Sequence, residues 1–428
     1  MKYLRKLAEL SALEARRVHG YEPIRLPSKF DNVVIAMSSG VDSSVAAALF
    51  ADFPRAQGIY MQNWSDPGGS EKTGREPCHE RDWKDVQRVG SHLGIPVERV
   101  NFEQDYWHDV FEPMLQAYQA GITPNPDVGC NRFIKFGRLR SHLDSSLGRG
   151  NYWLITGHYA RVGHSLATDE HHLLRAYYKN KDQSYYLSQI PQAALQSLCF
   201  PMGVLSKPEV REFANEMQLP TARKPDSQGI CFVANSQHSK FRSFLQQYLP
   251  TEPGNIITWD TDTASKTVWG RHTGLWNYTI GQRIGLAMPQ GDPRFSGSWF
   301  VAEKLVDSNE IVICRGRDNP ILFRDFLEID GFKPIGSGGI ISATLQEAVA
   351  RNEVYIQYRS LQDPVLVSKV FAGLHSEKIS MRLAHAQRAM APGQYCTIYH
   401  KDRILGSGII REATSYLLGG TNLTNTPK

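Results

Sequence analysis

Hydrophobic and polar positions change their period along this chain, and the changes mark its parts. Residues 33–37 form a short apolar, β-branched run that stops at the small polar residues Ser38 to Ser44, then gives way to an alanine-rich segment through Phe50. That order predicts a strand, a tight turn and a helix. Further strands are predicted at 58–64, 97–102 and 153–160, with helices at 82–93, where Trp83, Val86, Val89 and Leu93 share a face, and at 106–120. Alternation of this kind, running to about Tyr178, predicts an α/β domain with a mostly parallel sheet covered by helices. Ligands on such sheets sit beyond the carboxyl ends of the strands, where the Ser38 to Ser44 turn, the segment after Met61 and the Gly157-His158 turn would emerge together.

After Pro208 the alternation lapses. A helix predicted at 208–218 leads into TARKPDSQGICF and a Pro- and Gly-punctuated stretch through Gly291, which reads as a small linking domain. From Ser298 onward, short alternating runs at 299–303, 310–314, 354–359, 365–371, 378–383, 395–400 and 403–410 predict antiparallel strands closing into a small β-barrel. The boundaries expected from the pattern are an extension at 1–30, the sheet domain at 31–207, the linking domain at 208–292 and the barrel at 293–428.

Composition narrows the class without naming a chemistry. At 428 residues with 41% hydrophobic and 21% charged positions, the chain can bury two or three ordinary globular cores. A formal charge of +5 leans only weakly toward a polyanionic partner. No apolar run is long enough to span a bilayer, and six cysteines in a chain of this length do not make a secreted disulfide framework. The first 30 residues place Lys2, Arg5, Lys6, Arg16 and Arg17 among Leu4, Leu7, Leu10 and Leu13. This reads either as an amphipathic targeting helix of the mitochondrial kind or as an ordinary N-terminal helix, and Glu9 and Glu14 argue for the latter.

The turn at Ser38 to Ser44 brings backbone N–H groups, serine hydroxyls and the positive end of a helix dipole to one point, which suits a phosphate. No lysine follows Gly40, so this is not the GxxxxGK[ST] loop. Cys199, Cys314 and Cys396 lie in apolar or strand contexts and read as buried structural thiols, while Cys78 is ambiguous. Cys130 in TPNPDVGCN and Cys231 in KPDSQGICF sit instead in loops rich in Pro, Gly, Asn and Asp. Cys130 precedes a helix predicted at 132–143, and a thiol near a helix N-terminus is more readily ionised, as a nucleophile requires. No CxxC or comparable metal-ligand spacing occurs, so no metal ligands are assigned; an iron–sulfur site and two unrelated loop cysteines stay open at this point.

The SSGVDS core resembles the SGGxDS loop of the ATP pyrophosphatase (PP-loop) superfamily, with Ser39 where that loop has glycine. The wider combination AMSSGVDSS, MQNW, TPNPDVGCN, IKF, TGHYAR, KDQSYYLSQ, KPDSQGICF, YTIGQR and PGQ, in this order from Asn32 to about Ile410, resembles the tRNA-specific 2-thiouridylases of the bacterial MnmA type and their mitochondrial relatives. The basic leader and Ser39 look most like the fungal mitochondrial branch. The resemblance implies an α/β fold with a PP-loop ATP pyrophosphatase (adenine nucleotide alpha hydrolase-like) sheet, a small central domain and a C-terminal β-barrel that contacts tRNA. It implies a sulfurtransferase that adenylates C2 of the wobble uridine with ATP and magnesium and then delivers a persulfide sulfur, drawn ultimately from a cysteine desulfurase. In the family the positions of Ala36, Met37, Ser38, Ser39, Gly40, Val41, Asp42 and Ser43, with Met61 and Gly157, contact ATP. That of Cys231 carries the persulfide, and that of Cys130 resolves it, leaving a Cys130–Cys231 disulfide. The base meets Asn125, Pro126 and Asp127, and tRNA meets His158, Lys181, Asp182, Gln183, Gln357, Tyr358 and Gln394. Two other functions compete. A nitrogen-transferring PP-loop synthetase needs neither the two loop cysteines nor an RNA-suited barrel, and a catalytically inactive tRNA-binding protein has no use for Asp42, Cys130 and Cys231.

Overall fold

The computed structural model describes residues 2–17, 20–22, 25–65, 76–226, 238–260, 265–286, 292, 295–371 and 378–415. Cys231 lies outside them. The first sheet is parallel throughout, in the order β3, β2, β1, β4, β7, with β1 Asn32–Met37, β2 Ala56–Gln62, β3 Val97–Asn101, β4 Tyr152–Thr156 and β7 Leu198–Cys199. Side chains alternate across a strand, so β1 serves two cores at once. Val34 and Ala36 face the helices Glu112–Gln119 and Leu139–Leu147, while Val33, Ile35 and Met37 face the helices Val41–Phe50, Cys78–Leu93 and Lys207–Glu216. Each large apolar side chain buried this way contributes roughly 1.5–3 kcal/mol. From β1 the chain winds outward to β2 and β3, then crosses back to β4 on the other side of β1. The strand order therefore reverses between β1 and β4, where α/β sheets open a crevice for ligands.

The run read as one strand over 153–160 is two. β4 ends at Thr156, and β5 Ala160–His164 pairs with β6 His171–Arg175 in a hairpin that leaves the parallel sheet. Gly157 and His158 make the break, and an alternation count cannot see a change of partner strand. The N-terminal helix Lys2–Arg17 docks on the sheet domain through the leucine stripe itself. Leu7 is only 1% exposed, Leu4 and Leu10 pack beside it, and the Lys6 ammonium lies 4.7 Å from the Phe213 ring centre. Leu4, Leu7 and Leu10 of the stripe form a packing face of this domain, while Leu13 is exposed.

Two expected boundaries move. The helix Lys207–Glu216 packs against Val41–Phe50 within the core of the first domain, so that domain runs past residue 207. The strands β11 Trp299–Leu305 and β12 Glu310–Arg315, assigned from the sequence to the C-terminal barrel, belong to a middle sheet with β8 Gly254–Asp260, β9 Ser265–His272 and β10 Arg283–Ile284. The decisive contact is the parallel pairing of β12 with β8 over Glu310 to Val312, which local alternation cannot reveal. The C-terminal unit holds β13 Phe323–Pro334, β14 Val354–Gln357, β15 Val365–Val370, β16 Ile379–Arg388, β17 Tyr395–His400 and β18 Arg403–Thr414. β13 pairs with both β16 and β18, which closes six strands into a barrel and removes its edges. The helix Gly338–Ala350 was not expected, because its Gly-Gly start carries the poorest helix formers short of proline; Ile341, Leu345 and Ala348 fasten it to the barrel core.

The barrel is joined to the first domain by polar contacts as well as by the β5–β6 hairpin, which lies alongside β18. Tyr185 donates to Tyr395 O at 3.1 Å, Ser188 to Ser407 Oγ at 2.9 Å and Gln189 to Ser407 O at 2.6 Å. Tyr185, Ser188 and Gln189 of the KDQSYYLSQ motif are therefore interface residues.

Candidate active site

The loop after β1 closes on its own serines and leaves its helix open. Ser43 Oγ accepts from Ser38 N at 3.1 Å and lies 2.9 Å from Ser38 O and 3.0 Å from Gly40 O; Ser44 Oγ donates to Gly40 O at 2.9 Å. Gly40 stands at the N-cap in an extended conformation, and no side chain caps the helix Val41–Phe50. Its first N–H groups remain directed outward, as an anion site requires. Ser39 is not in the left-handed region, so its side chain costs the loop no backbone strain. Ala36 and Met37 end β1 beneath the loop, and Met61, half-buried, is the penultimate residue of the neighbouring β2.

Gly157, after β4, presses against the start of that helix. A Cβ there would lie 2.8 Å from Ser43 N and 2.9 Å from the Asp42 carbonyl carbon. Gly157→Ala should accordingly push the helix N-terminus aside, raise the KM for ATP and cost about 1–3 kcal/mol of stability through overpacking. Thermal melting with ATP titration measures both, and an unaltered KM would place the phosphates elsewhere. The next residue turns the other way. His158 Nδ1 lies 2.6 Å from Thr156 Oγ1, its ring packs against Phe136 and Phe200, and Lys135 Nζ is 3.5 Å from its Nε2. Desolvation and, after it, Lys135 hold this imidazole well below its usual pKa, so it stays neutral. Tyr159 then donates to Asp42 Oδ1 at 2.7 Å. The TGHYAR motif thus spans from the phosphate loop to the helix that carries Cys130.

That helix differs from expectation. It starts at Pro126 behind the N-cap Asn125, not at 132, and from Cys130–Arg138 its hydrogen bonds widen to the π pattern, often found at functional sites. Cys130 lies in the second turn of this helix and is 4% exposed, not ahead of the helix start as expected. Desolvation raises the Asp127 carboxyl above its usual range, against the opposing effect of Lys135. The loop leading in is held from the barrel by the PGQ turn. Gln394 Nε2 donates to Thr123 O at 2.7 Å, Thr123 N donates to Pro392 O at 3.2 Å, and Gly393, at φ +91°, comes too close to Ile122 to carry a side chain.

The positions matched to tRNA contact divide by exposure. Lys181 is half-exposed, whereas Asp182 is buried and accepts from Arg175 Nε, Ala176 N and the Ser184 hydroxyl at 2.8, 2.9 and 3.0 Å. Gln183 Oε1 accepts from Tyr159 N at 3.0 Å. Gln357 and Tyr358 are also buried; Tyr399 donates to Gln357 Oε1 at 2.8 Å and Tyr358 to Arg388 O at 3.2 Å. Asp182, Gln357 and Tyr358 therefore act by holding backbone turns and not by presenting a free surface. Burial pushes the thiols of Cys314 up to about 11 and Cys199 up to about 12, and raises Cys396 as well, consistent with structural roles. Lys207, Asp226, Tyr159 and Lys135 were missed from the sequence. Lys135 lies within the quoted IKF and Asp226 within KPDSQGICF, but their partners are distant in the chain.

Family models match the chain in three pieces: a tRNA methyl transferase HUP domain over residues 31–235, a tRNA methyl transferase PRC-barrel domain over 242–315 and an aminomethyltransferase beta-barrel domain over 342–410. Among whole-length relatives, the mitochondrial tRNA-specific 2-thiouridylase 1 of Saccharomyces cerevisiae is 56% identical over 94% of this chain and 96% of its own. Its Schizosaccharomyces pombe namesake is 35% identical over 90% and 92%, and the tRNA-specific 2-thiouridylase MnmA of Bacillus velezensis is 40% identical over 88% and 94%. Identity of this depth across all three units, with the phosphate loop and the Cys130 helix in place, shows that the chain belongs to the tRNA-specific 2-thiouridylase family.

Proposed function

We propose that the protein replaces the C2 oxygen of the wobble uridine of tRNA with sulfur, in mitochondria, using ATP. The observation that carries this is the Gly157-His158 turn: Gly157 abuts the phosphate loop while the His158 ring abuts Lys135 on the Cys130 helix, so one two-residue turn borders both chemistries. A carbonyl oxygen is a poor leaving group. Adenylation bonds it to the α-phosphorus of ATP and expels pyrophosphate toward the helix N-terminus. Asp42, the one carboxylate in the Ser38 to Ser44 loop, would share the magnesium that accompanies ATP, and that ion would supply charge neutralisation of the phosphates. The Cys231 persulfide then attacks C2 and displaces AMP. The Cys130 thiolate attacks the Cys231 sulfur, breaks the S–S bond to the transferred atom and leaves thiouridine and a Cys130–Cys231 disulfide, which a reductant reopens.

Asn125, Pro126 and Asp127 receive the base, turned out of the anticodon stack. Lys181, Gln183, His158 and Gln394 face the tRNA, with Asp182, Gln357 and Tyr358 fixing the turns that present them. A cysteine desulfurase supplies the sulfur. Incubation of tRNA with the protein, ATP and a persulfide source should yield 2-thiouridine by nucleoside mass spectrometry, with AMP and pyrophosphate released only when the substrate tRNA is present. ADP as the main product would refute the reading.

A further inference from the structure

Three cations and two carboxylates meet at the mouth of the phosphate loop. Lys207 Nζ lies 2.7 and 2.9 Å from the two carboxylate oxygens of Asp42 and 2.8 Å from Asp226 Oδ1. Arg211 donates to the same Asp226 oxygen at 2.6 Å, and Lys181 to the other at 3.0 Å. Burial alone would raise the Asp226 carboxyl, but hydrogen bonds from Lys207 and Lys181 outweigh it and bring it down to about 2.

The cluster is built on rigid supports. Lys207 opens the helix Lys207–Glu216, where a reciprocal capping box between Ser206 and Glu209 and a proline in the first turn fix the backbone. Arg211, one turn on, also binds Ala222 O at 2.8 Å and Lys224 O at 2.6 Å, which ties the segment leading to Asp226 to the same helix. Lys207 is 16% exposed, an expensive place for an ammonium with no task beyond a surface pair. The phosphate loop, meanwhile, contains no cation, and a helix terminus supplies only about half a positive charge. Pyrophosphate leaves with several negative charges.

We propose that Lys207 is a further catalytic residue, the ammonium that hydrogen-bonds and neutralises the departing pyrophosphate, and that Asp226 is the positioning residue that holds it at the loop. This rests on the reading that the phosphates of ATP occupy the Ser38 to Ser44 turn. When the uridine oxygen bonds to the α-phosphorus and the bond to the bridging oxygen breaks, the electron pair stays on that oxygen, and Lys207 donates to it. Asp42 would be the carboxylate to share a cation accompanying the nucleotide, while Asp226, backed by Arg211, keeps Lys207 in reach.

The test is adenylation kinetics of the full-length protein with tRNA and ATP, with added inorganic pyrophosphate as product inhibitor. Lys207→Gln should lose about 10²–10³-fold in kcat/KM for ATP, the scale for removing one donor to a developing charge. It should also lose pyrophosphate inhibition in step, with tRNA affinity unchanged, and Lys207→Arg should recover most of the loss. Asp226→Asn should raise the KM for ATP more than it lowers kcat, with rescue by Asp226→Glu. A folded Lys207→Gln with wild-type KM and wild-type pyrophosphate inhibition overturns the inference alone; ADP from the wild type overturns the underlying reading and this one with it. If Lys207→Gln does not fold, peptide mass spectrometry of the wild type after lysine acylation decides. Protection of Lys207 by pyrophosphate supports the assignment, and equal labelling with and without it overturns the assignment.

Discussion

Cys231→Ser is expected to hold no persulfide and to make no 2-thiouridine, and Cys130→Ser to fail at a later step. The second variant should still accept sulfur at Cys231 and still adenylate the base, then stop, because an alcohol does not attack an S–S bond usefully at neutral pH. Cys130 is 4% exposed, so the crosslink expected of turnover should not form in the resting protein without substrate. After one turnover without reductant, peptide mapping of the wild type should find a Cys130–Cys231 crosslink, which requires their Cα atoms to come within about 7 Å. Persulfide on Cys130 and never on Cys231 would reverse the roles. Full multiple-turnover activity in Cys130→Ser would remove that residue from the mechanism, and a cluster ligated by both thiols would favour the iron–sulfur alternative.

Asp42→Ala should abolish adenylation, a loss on the order of 10²–10³-fold or more, while tRNA affinity stays at the wild-type level. The carboxylate holds both oxygens against Lys207 and accepts from Tyr159, so its removal frees a half-buried ammonium and a phenol at the phosphate position. Neither lies on the barrel face or on the PGQ contact with Thr123. Pyrophosphate release and filter binding of tRNA, measured on the same preparation, separate the two effects. A parallel fall in both would give the loop a structural role.

Local regularities were legible and distant pairings were not. The strand, turn and helix around Ser38 to Ser44 could be read within a few residues, because β-branched, small and alanine-rich stretches carry their preferences locally. The same reading carried the β4 strand on to Ala160, although β4 ends at Thr156 and β5 begins only at Ala160 after the Gly157-His158 turn. It also placed Cys130 at a helix start that lies at Pro126, since a proline flanked by Asn125 and Asp127 reads equally as loop or as the first turn of a helix. Lys207 was not singled out, since the helix was read from Pro208, although the S-K-P-E capping pattern that fixes it was present.

The sequence by itself determined the fold class, the serine-rich turn without its own lysine and, through ordered motifs, the family. Those features are encoded in residue type and short spacing, and each survives without knowledge of any partner. Only the tertiary structure decided where the middle sheet ends, since β12 reaches back to β8, and that Asp182, Gln357 and Tyr358 are buried supports. It alone brought Lys207, Asp226 and Lys181 to Asp42. Charge compensation and strand pairing act through space at a few ångströms, between residues separated by tens to hundreds of positions, and no local pattern of hydrophobic and polar residues records which of them will meet.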